Sequence, residues 1–174
     1  RWGDSLYFFK RQCLWAVIGF AAMFVASRID YSKLQKYSRI FLIISIIMLV
    51  AVLIIGEERN GAKRWLGVGS ITIQPAEVAK FAVIFFISDT ISRGKEKIKY
   101  FFRGMLPILL VSGLVFGLIV LQPNLSTAGS ILILTLIMLF VGGARLWQLT
   151  ALLASGAAGA VALVMAEEYR MKRL

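Results

Sequence analysis

The amino-acid sequence predicts an all-α fold, a polytopic transmembrane helix bundle with about six membrane-spanning helices. The 174 residues are 59% hydrophobic and have a mean hydropathy of +0.81, whereas soluble domains are about 45–50% apolar. The apolar residues fall in charge-free runs close to the roughly 17–25 residues that cross a bilayer. Charged residues make up only 17% of the chain and lie mostly between these runs.

Each helix follows from one of these runs. The charge-free run 104–144 is about twice as long as one span, so we expect it to turn at "LQPNLSTAG", where Pro123 removes a backbone donor. A third span is apolar except for Lys80 and Asp89. The expected spans are 12–27, 40–56, 78–92, 105–121, 127–143 and 146–166. The expected breaks lie near 28–39, 57–76, 93–104, 122–126 and 144–147.

Charge and composition limit the classes of function. A net charge of +11 on so apolar a chain indicates contact with anionic membrane lipids or an anionic lipid-linked substrate, and not with nucleic acid. The single cysteine, Cys13, excludes an intrachain disulfide. The absence of histidine from the sequence excludes Ser-His-Asp and Cys-His systems and histidine-ligated zinc.

The loops suggest an orientation in the membrane. "SRIDYSKLQKYSR" and "SRGKEKIKYFFRG" carry four and five basic residues with one acid each, and an even number of spans separates them. The positive-inside rule therefore predicts that both are cytoplasmic and that the loop 57–76 is extracellular. Counted over the whole chain, the twenty basic residues divide equally between the two sides, so the prediction depends on the short loops.

Two polar segments interrupt the apolar pattern. In "SITIQPAEVAK", Pro75 suits the first helical position with Gln74 at the cap, and Glu77 is spaced to pair with Lys80. One interpretation is a well-capped helix with a snorkelling lysine. The other is an outward-facing polar pocket, because an ionisable residue inside a span is a functional candidate. That pocket would be lined by Lys63, Arg64, Glu77 and Lys80.

The remaining candidates also have two interpretations. Trp65 either anchors the chain at the headgroup level or belongs to the pocket. The second polar segment, "QPNLSTA", is either a reverse turn or a ligand-binding helix break, with polar side chains at Gln122, Asn124 and Thr127. Asp89 and Arg93 are four residues apart, which predicts a local ion pair.

These segments carry a resemblance to a known family. "NGAKRWLGVGSITIQPAEVAKFA" resembles the extracellular loop and following helix of the SEDS family (shape, elongation, division and sporulation), and "LQPNLSTAGSILILTLIMLFVGGAR" resembles its second signature. The opening "FFKRQCLWAVIGFAAMFVASRIDY" is similar to the family segment that enters the second helix. The Asn-Leu-Ser-Thr variant places the sequence nearer the division and sporulation members, FtsW and SpoVE, than RodA.

The resemblance implies a multi-pass protein of the bacterial plasma membrane with ten helices. Its implied activity is that of a peptidoglycan glycosyltransferase, which polymerises lipid II for cell wall synthesis during division or shape determination. The implied partners are lipid II, a class B penicillin-binding protein, divisome or elongasome proteins, and membrane lipids. Arg, Lys or a divalent cation such as Mg²⁺ or Mn²⁺ would neutralise the departing diphosphate.

The resemblance also implies roles for individual residues. Arg64 and Lys80 would contact the diphosphate or sugar, and Glu77 would position Lys80. The other expected substrate-binding positions are Lys63, Trp65, Gln74, Gln122, Asn124 and Thr127. Pro75, Pro123, Gly61 and Gly69 would shape the backbone. Asn124 stands where the family usually has Asp.

The catalytic Asp of the family lies in a large loop after the seventh helix, so we expect no catalytic residue within this chain. The chain, 1–174, is expected to be part of a single integral membrane domain without its first helix and C-terminal half. Two other functions fit the same residues. They are a lipid II flippase, or other transporter of lipid-linked precursors, and a non-catalytic scaffold for a penicillin-binding protein.

Overall fold

The computed structural model of the protein describes residues 6–59, 62–68 and 71–165. Within these residues, six α-helices and three short β-strands follow one another along the chain. They are α1 (Tyr7–Ser27), α2 (Tyr31–Ile55), β1 (Glu57–Arg59), β2 (Ala62–Val68), β3 (Ile71–Ile73), α3 (Pro75–Arg93), α4 (Leu106–Val120), α5 (Leu125–Val141) and α6 (Leu146–Met165). The predicted all-α membrane bundle is confirmed. The expected structural residues Gly61 and Gly69 lie outside the described residues.

Two compact units make up the chain, residues 1–36 and 37–174. In the first unit, α1 is apolar and is exposed from Phe9 to Ser27. At its end, the Arg28 guanidinium lies 4.9 Å from the ring centroid of Phe24. The Ser32 backbone N–H donates to Asp30 Oδ1 at 2.9 Å and begins the next helix. This hydrogen bond lowers the pKa of Asp30 below its usual value.

The expected loop 28–39 is wrong over most of its length, because α2 already begins at Tyr31. The charges of Lys33, Lys36 and Arg39 end the apolar run, but Lys and Arg are good helix formers. The Asp30 carboxylate also satisfies one of the free N–H groups at the start of this helix. A change in hydropathy therefore did not mark a change in backbone conformation.

The core of the second unit lies where α3, α4 and α5 pack against one another. On α3 the buried positions recur every three or four residues, and several of them are alanine. Small residues allow helix axes to approach closely. The fully buried α3 side chains are Ala76, Ala79, Ala82, Val83 and Ile87. Buried residues of α2 and α6 extend the same cluster.

A 3₁₀ turn (Lys97–Lys99) and a π-helical turn (Phe101–Met105) connect α3 to α4. The backbone passes closely here, because a Cβ at Gly104 would overlap the carbonyl oxygen of Lys97. Beneath this connection, Asp89 is buried and forms the expected pair with Arg93, with 2.6 Å between Oδ1 and Nε. The prediction missed Arg39, whose Nε lies 3.9 Å from Asp89 Oδ2.

The three strands form one antiparallel sheet in the order β1-β2-β3. Arg59 pairs with Ala62, and Val68 pairs with Ile71. The sequence did not lead us to expect these strands within the 57–76 segment. The sheet joins the C-terminal end of α2 to the N-terminal end of α3 and contacts α3 through β2.

Among the described residues, three helical segments are long and apolar enough to cross a membrane: Phe9–Ser27, Tyr31–Ile55 and Phe101–Val120. Leu125–Val141 is a shorter apolar helix. The six expected spans and the side on which each loop lies stay predictions.

Candidate functional site

Arg64 lies on β2, the central strand of the sheet. Successive side chains of a strand point to opposite faces. Arg64 therefore shares a face with Ala62 and Leu66, whereas Lys63 and Trp65 belong to the other face. Lys63 is exposed, and Trp65 is half-buried.

The Arg64 guanidinium connects the sheet to the turn between α4 and α5. Its Nε donates to the Gln122 carbonyl oxygen at 3.1 Å, and its Nη2 donates to the Pro123 carbonyl oxygen. Both carbonyls follow the C-terminal end of α4, where the helix dipole favours a positive charge. The fork of N–H donors allows one arginine to hold two successive carbonyls. This contact joins two segments that are 58 residues apart in sequence.

The same turn buries two side-chain amides. Gln122 is 1% exposed and donates from Nε2 to the Leu49 carbonyl oxygen of α2 at 3.4 Å. Asn124, 6% exposed, caps α5 by accepting a hydrogen bond at Oδ1 from the Thr127 N–H, also at 3.4 Å. Within the described structure, Gln122 Oε1 and Asn124 Nδ2 have no hydrogen-bond partner. Buried polar atoms are nearly always paired, so these two are candidates for contact with a ligand or water.

The beginning of α3 forms as the sequence predicts. Gln74 is the residue before the helix, Pro75 is at its first position, and the Glu77 N–H donates to the Gln74 carbonyl oxygen at 3.0 Å. Pro at this position loses no helical hydrogen bond. The expected pair is also present, with 2.7 Å between Lys80 Nζ and Glu77 Oε2. The Lys80 side chain is 26% exposed and that of Glu77 is 49% exposed.

Most of the predicted residues thus form two groups next to the sheet, whereas Lys63 and Trp65 lie on the other face of β2 and Gln74 precedes α3. One consists of Arg64 on β2 and the α4–α5 turn that it contacts, which carries Gln122, Pro123, Asn124 and Thr127. The other is the Glu77–Lys80 pair at the start of α3, the helix that β2 contacts. Sequence reasoning missed the Leu49 carbonyl, because backbone acceptors carry no signature in the sequence.

A divalent cation was one expected source of charge neutralisation. Among the described residues, no three side chains of Asp, Glu or Cys come together as metal ligands. Mg²⁺ and Mn²⁺ are normally held by several oxygen ligands. Mg²⁺ can also be held by one or two carboxylates together with substrate phosphates, so a divalent cation stays an expectation, and the chemistry considered below uses basic side chains.

The apolar helices and the polar turn held against a small antiparallel sheet define a membrane helix bundle with a candidate site beside the sheet. Residues 1–174 match the family model described as "Cell cycle protein", which covers FtsW, RodA and SpoVE. The chain belongs to this family.

Named relatives extend over the chain but are longer than it. A probable peptidoglycan glycosyltransferase FtsW from Aliivibrio salmonicida is 38% identical over 99% of the chain and 43% of its own length. The stage V sporulation protein E of Bacillus subtilis is 39% identical over 100% of the chain and 48% of its own length. The chain therefore spans less than half the length of these two relatives.

Solved structures share the fold. The rod shape determining protein RodA of Thermus thermophilus superimposes with a TM-score of 0.72 at 26% identity, over 89% of this chain and 50% of RodA. A chain from a peptidoglycan synthase complex, described for its coordination of polymerization and crosslinking, gives a TM-score of 0.76 at 26% identity. That match covers 94% of this chain and 48% of the other.

Proposed function

We propose that the full-length protein is a peptidoglycan glycosyltransferase that polymerises lipid II, and that this chain supplies its polar substrate-facing end. The observation that carries the proposal is the contact of Arg64 with the Gln122 and Pro123 carbonyls. It brings Arg64 of the first segment that resembles the family next to the α4–α5 turn of the second, beside two buried amide atoms that have no hydrogen-bond partner among the described residues. Relatives named as probable peptidoglycan glycosyltransferases support the reaction class.

In this reaction, the 4-hydroxyl of one disaccharide attacks the anomeric carbon of another, and undecaprenyl diphosphate leaves. The leaving group gains negative charge in the transition state, so a positioned cation lowers the barrier. Lys80 suits this role because it lies within a helix and is held by Glu77. Lys63 and Trp65 would bind the substrate from the other face of β2. The general base would come from outside this chain.

Arg64 has a second role in the proposal. Its guanidinium is engaged by backbone carbonyls, so it acts first as a positioning residue that holds the α4–α5 turn against the sheet. Gln122, Asn124 and Thr127 are then presented to the sugar or diphosphate. Contact between Arg64 and substrate would use the N–H groups that remain free of those carbonyls.

The proposed setting is the bacterial plasma membrane, with the 57–76 segment outside the cell and the whole chain in one integral membrane domain. The proposed partners are a class B penicillin-binding protein and the division or elongation machinery. In the similar peptidoglycan synthase complex, polymerization is coordinated with crosslinking, which supports a partner of this kind.

The experiment is glycan polymerisation from purified lipid II by the full-length protein with its penicillin-binding partner. Lys80→Ala should slow polymerisation on the order of 100-fold, the loss typical of removing one electrostatic group from a transition state. Arg64→Ala and Arg64→Lys should be similarly impaired, because the single ammonium of lysine does not reproduce the planar fork whose two nitrogens reach the two carbonyls. Lys33→Ala, an exposed lysine of α2, is the control and should retain the wild-type rate.

Normal polymerisation by both Lys80→Ala and Arg64→Ala would contradict the site assignment. Full activity of Arg64→Lys alone would assign Arg64 a charge role in place of positioning. Transport of lipid II across vesicles by a protein that never polymerises it would favour the flippase, and loss of partner recruitment alone would favour the scaffold.

A further inference from the structure

A polar cavity lies between the N-terminal part of α2, the C-terminal end of α3 and the turns that lead into α4. Its volume is about 200 Å³. Four basic side chains line it, from the start of α2, the end of α3 and the two turns that lead into α4. They are Arg39, Arg93, Lys97 and Arg103. The proposed polymerisation uses none of these residues.

The cavity has an excess of positive charge. Asp89 lies beneath it and is paired with Arg93 at 2.6 Å and approached by Arg39 at 3.9 Å. One carboxylate against four cations leaves a formal excess of three positive charges. Glu96, an acid in the same connection, pairs with Lys99 at 2.8 Å, which lowers the pKa of Glu96 and keeps it ionised. Gathering like charges is unfavourable unless an anion accompanies them.

The backbone around the cavity is packed, and this packing fixes the segments that carry the basic side chains. Ile98 is 2% exposed and Gly104 is buried against the Lys97 carbonyl. The close approach at Gly104 fixes the 3₁₀ turn against the π-helical turn, and these turns carry Lys97 and Arg103. Burial of Asp89 fixes Arg93 from below.

We propose that this cavity binds a phosphate-bearing anion, either the headgroup of an anionic phospholipid or a soluble phosphate compound. Arginine forks match phosphate oxygens, and several cations from different segments can surround one phosphate group. Basic pockets between membrane helices bind lipid headgroups by this chemistry. The inference does not depend on the proposed polymerisation.

The test measures binding to the full-length protein in neutral detergent. Dioctanoylphosphatidylglycerol is titrated in one arm, and inorganic phosphate at constant ionic strength is titrated in the other. Dioctanoylphosphatidylcholine serves as the lipid without net charge. Arg103→Gln and Lys97→Gln should each weaken binding about tenfold, as expected for a lost charged hydrogen bond. Lys95→Gln is the matched control, because Lys95 is exposed in the same connection but does not line the cavity.

Arg93 is left unchanged, since its removal would take away the nearest cation of the buried Asp89 carboxylate and could disturb folding. Arg103→Lys retains the charge and should keep at least half of the binding free energy. This second variant tests the proposal if Arg103→Gln fails to fold. Saturable binding of phosphatidylglycerol alone would assign a lipid site, and saturable binding of inorganic phosphate would assign a soluble ligand. Equal weakening by Lys95→Gln, or no saturable binding in either arm, would overturn the proposal.

Discussion

At the scale of single residues, the pairings in the candidate site differ in how deeply their side chains are buried. Arg64 is half-buried and holds two carbonyls, whereas the Glu77–Lys80 pair is substantially open to water. Exposed ion pairs contribute little to stability because solvent screens them. Glu77 therefore matters more for where it holds Lys80 than for the folding free energy.

This difference predicts the behaviour of Glu77→Gln. The variant should lose about 0–1 kcal/mol of the free energy of unfolding. It should lose polymerisation activity by roughly tenfold to 100-fold, because Lys80 is no longer held in place. Glu96→Gln is a matched control, since Glu96 forms another pair with i,i+3 spacing, to Lys99. Unfolding and polymerisation are measured in parallel for both variants. Equal losses of activity in Glu77→Gln and Glu96→Gln would contradict this account.

Asp89 is a residue of the opposite kind, with a side chain only 1% exposed. Arg93→Ala leaves this buried carboxylate with a weaker partner, whereas Asp89→Asn removes the buried charge and leaves exposed arginines. We therefore expect Arg93→Ala to cost about 2 kcal/mol more of the free energy of unfolding than Asp89→Asn. Denaturant titrations in detergent micelles test this order. A larger loss for Asp89→Asn than for Arg93→Ala would contradict this order. It would show that removing the carboxylate leaves more polar groups unpaired than removing the arginine does.

At the scale of elements, the helices were predictable because hydrophobic runs have the length of a membrane span. Dividing the run 104–144 at Pro123 and the polar residues after it predicted the bounds of α4 and α5 to within a few residues. The start of α2 was not predictable from hydropathy, because its first turns are charged.

The sheet could have been predicted from turn chemistry. Asn60-Gly61 stands between the paired residues Arg59 and Ala62, and Asn-Gly is a strong sequence signal for a two-residue hairpin. Gly69-Ser70 likewise stands between Val68 and Ile71, another favoured pair. The hydrogen bonds of Arg64 to the α4–α5 turn were beyond prediction, because they join segments whose approach depends on how the helices pack.

The connection between α3 and α4 makes a prediction at the same scale. Gly104→Ala should cost about 1–3 kcal/mol of the free energy of unfolding, because the added Cβ meets a backbone carbonyl that cannot move aside. Gly113→Ala, where a Cβ meets open space on α4, is the control. It should be neutral or stabilise by up to about 1 kcal/mol, the helix-propensity gain of Ala over Gly. Equal losses measured by thermal unfolding would contradict the close approach at Gly104.

At the scale of the whole molecule, the two polar regions lie at opposite ends of α2 and α3. The Arg64 and Lys80 region adjoins the sheet, and the basic cavity adjoins the α3–α4 connection. A helix that crosses the bilayer places its two ends on opposite sides of it. The proposed function requires the sheet end to face the exterior, where it would meet lipid II, and the charged connection to face the cytoplasm.

The most direct measurement is therefore labelling of intact cells with a membrane-impermeant maleimide. The full-length protein would carry Lys63→Cys or Lys95→Cys, with its native cysteines replaced, Cys13→Ser among them. We predict that Lys63→Cys is labelled in intact cells and that Lys95→Cys is labelled only after permeabilisation. The reverse pattern would place the Arg64 and Lys80 region in the cytoplasm, away from the site of glycan polymerisation, and would contradict the proposed function.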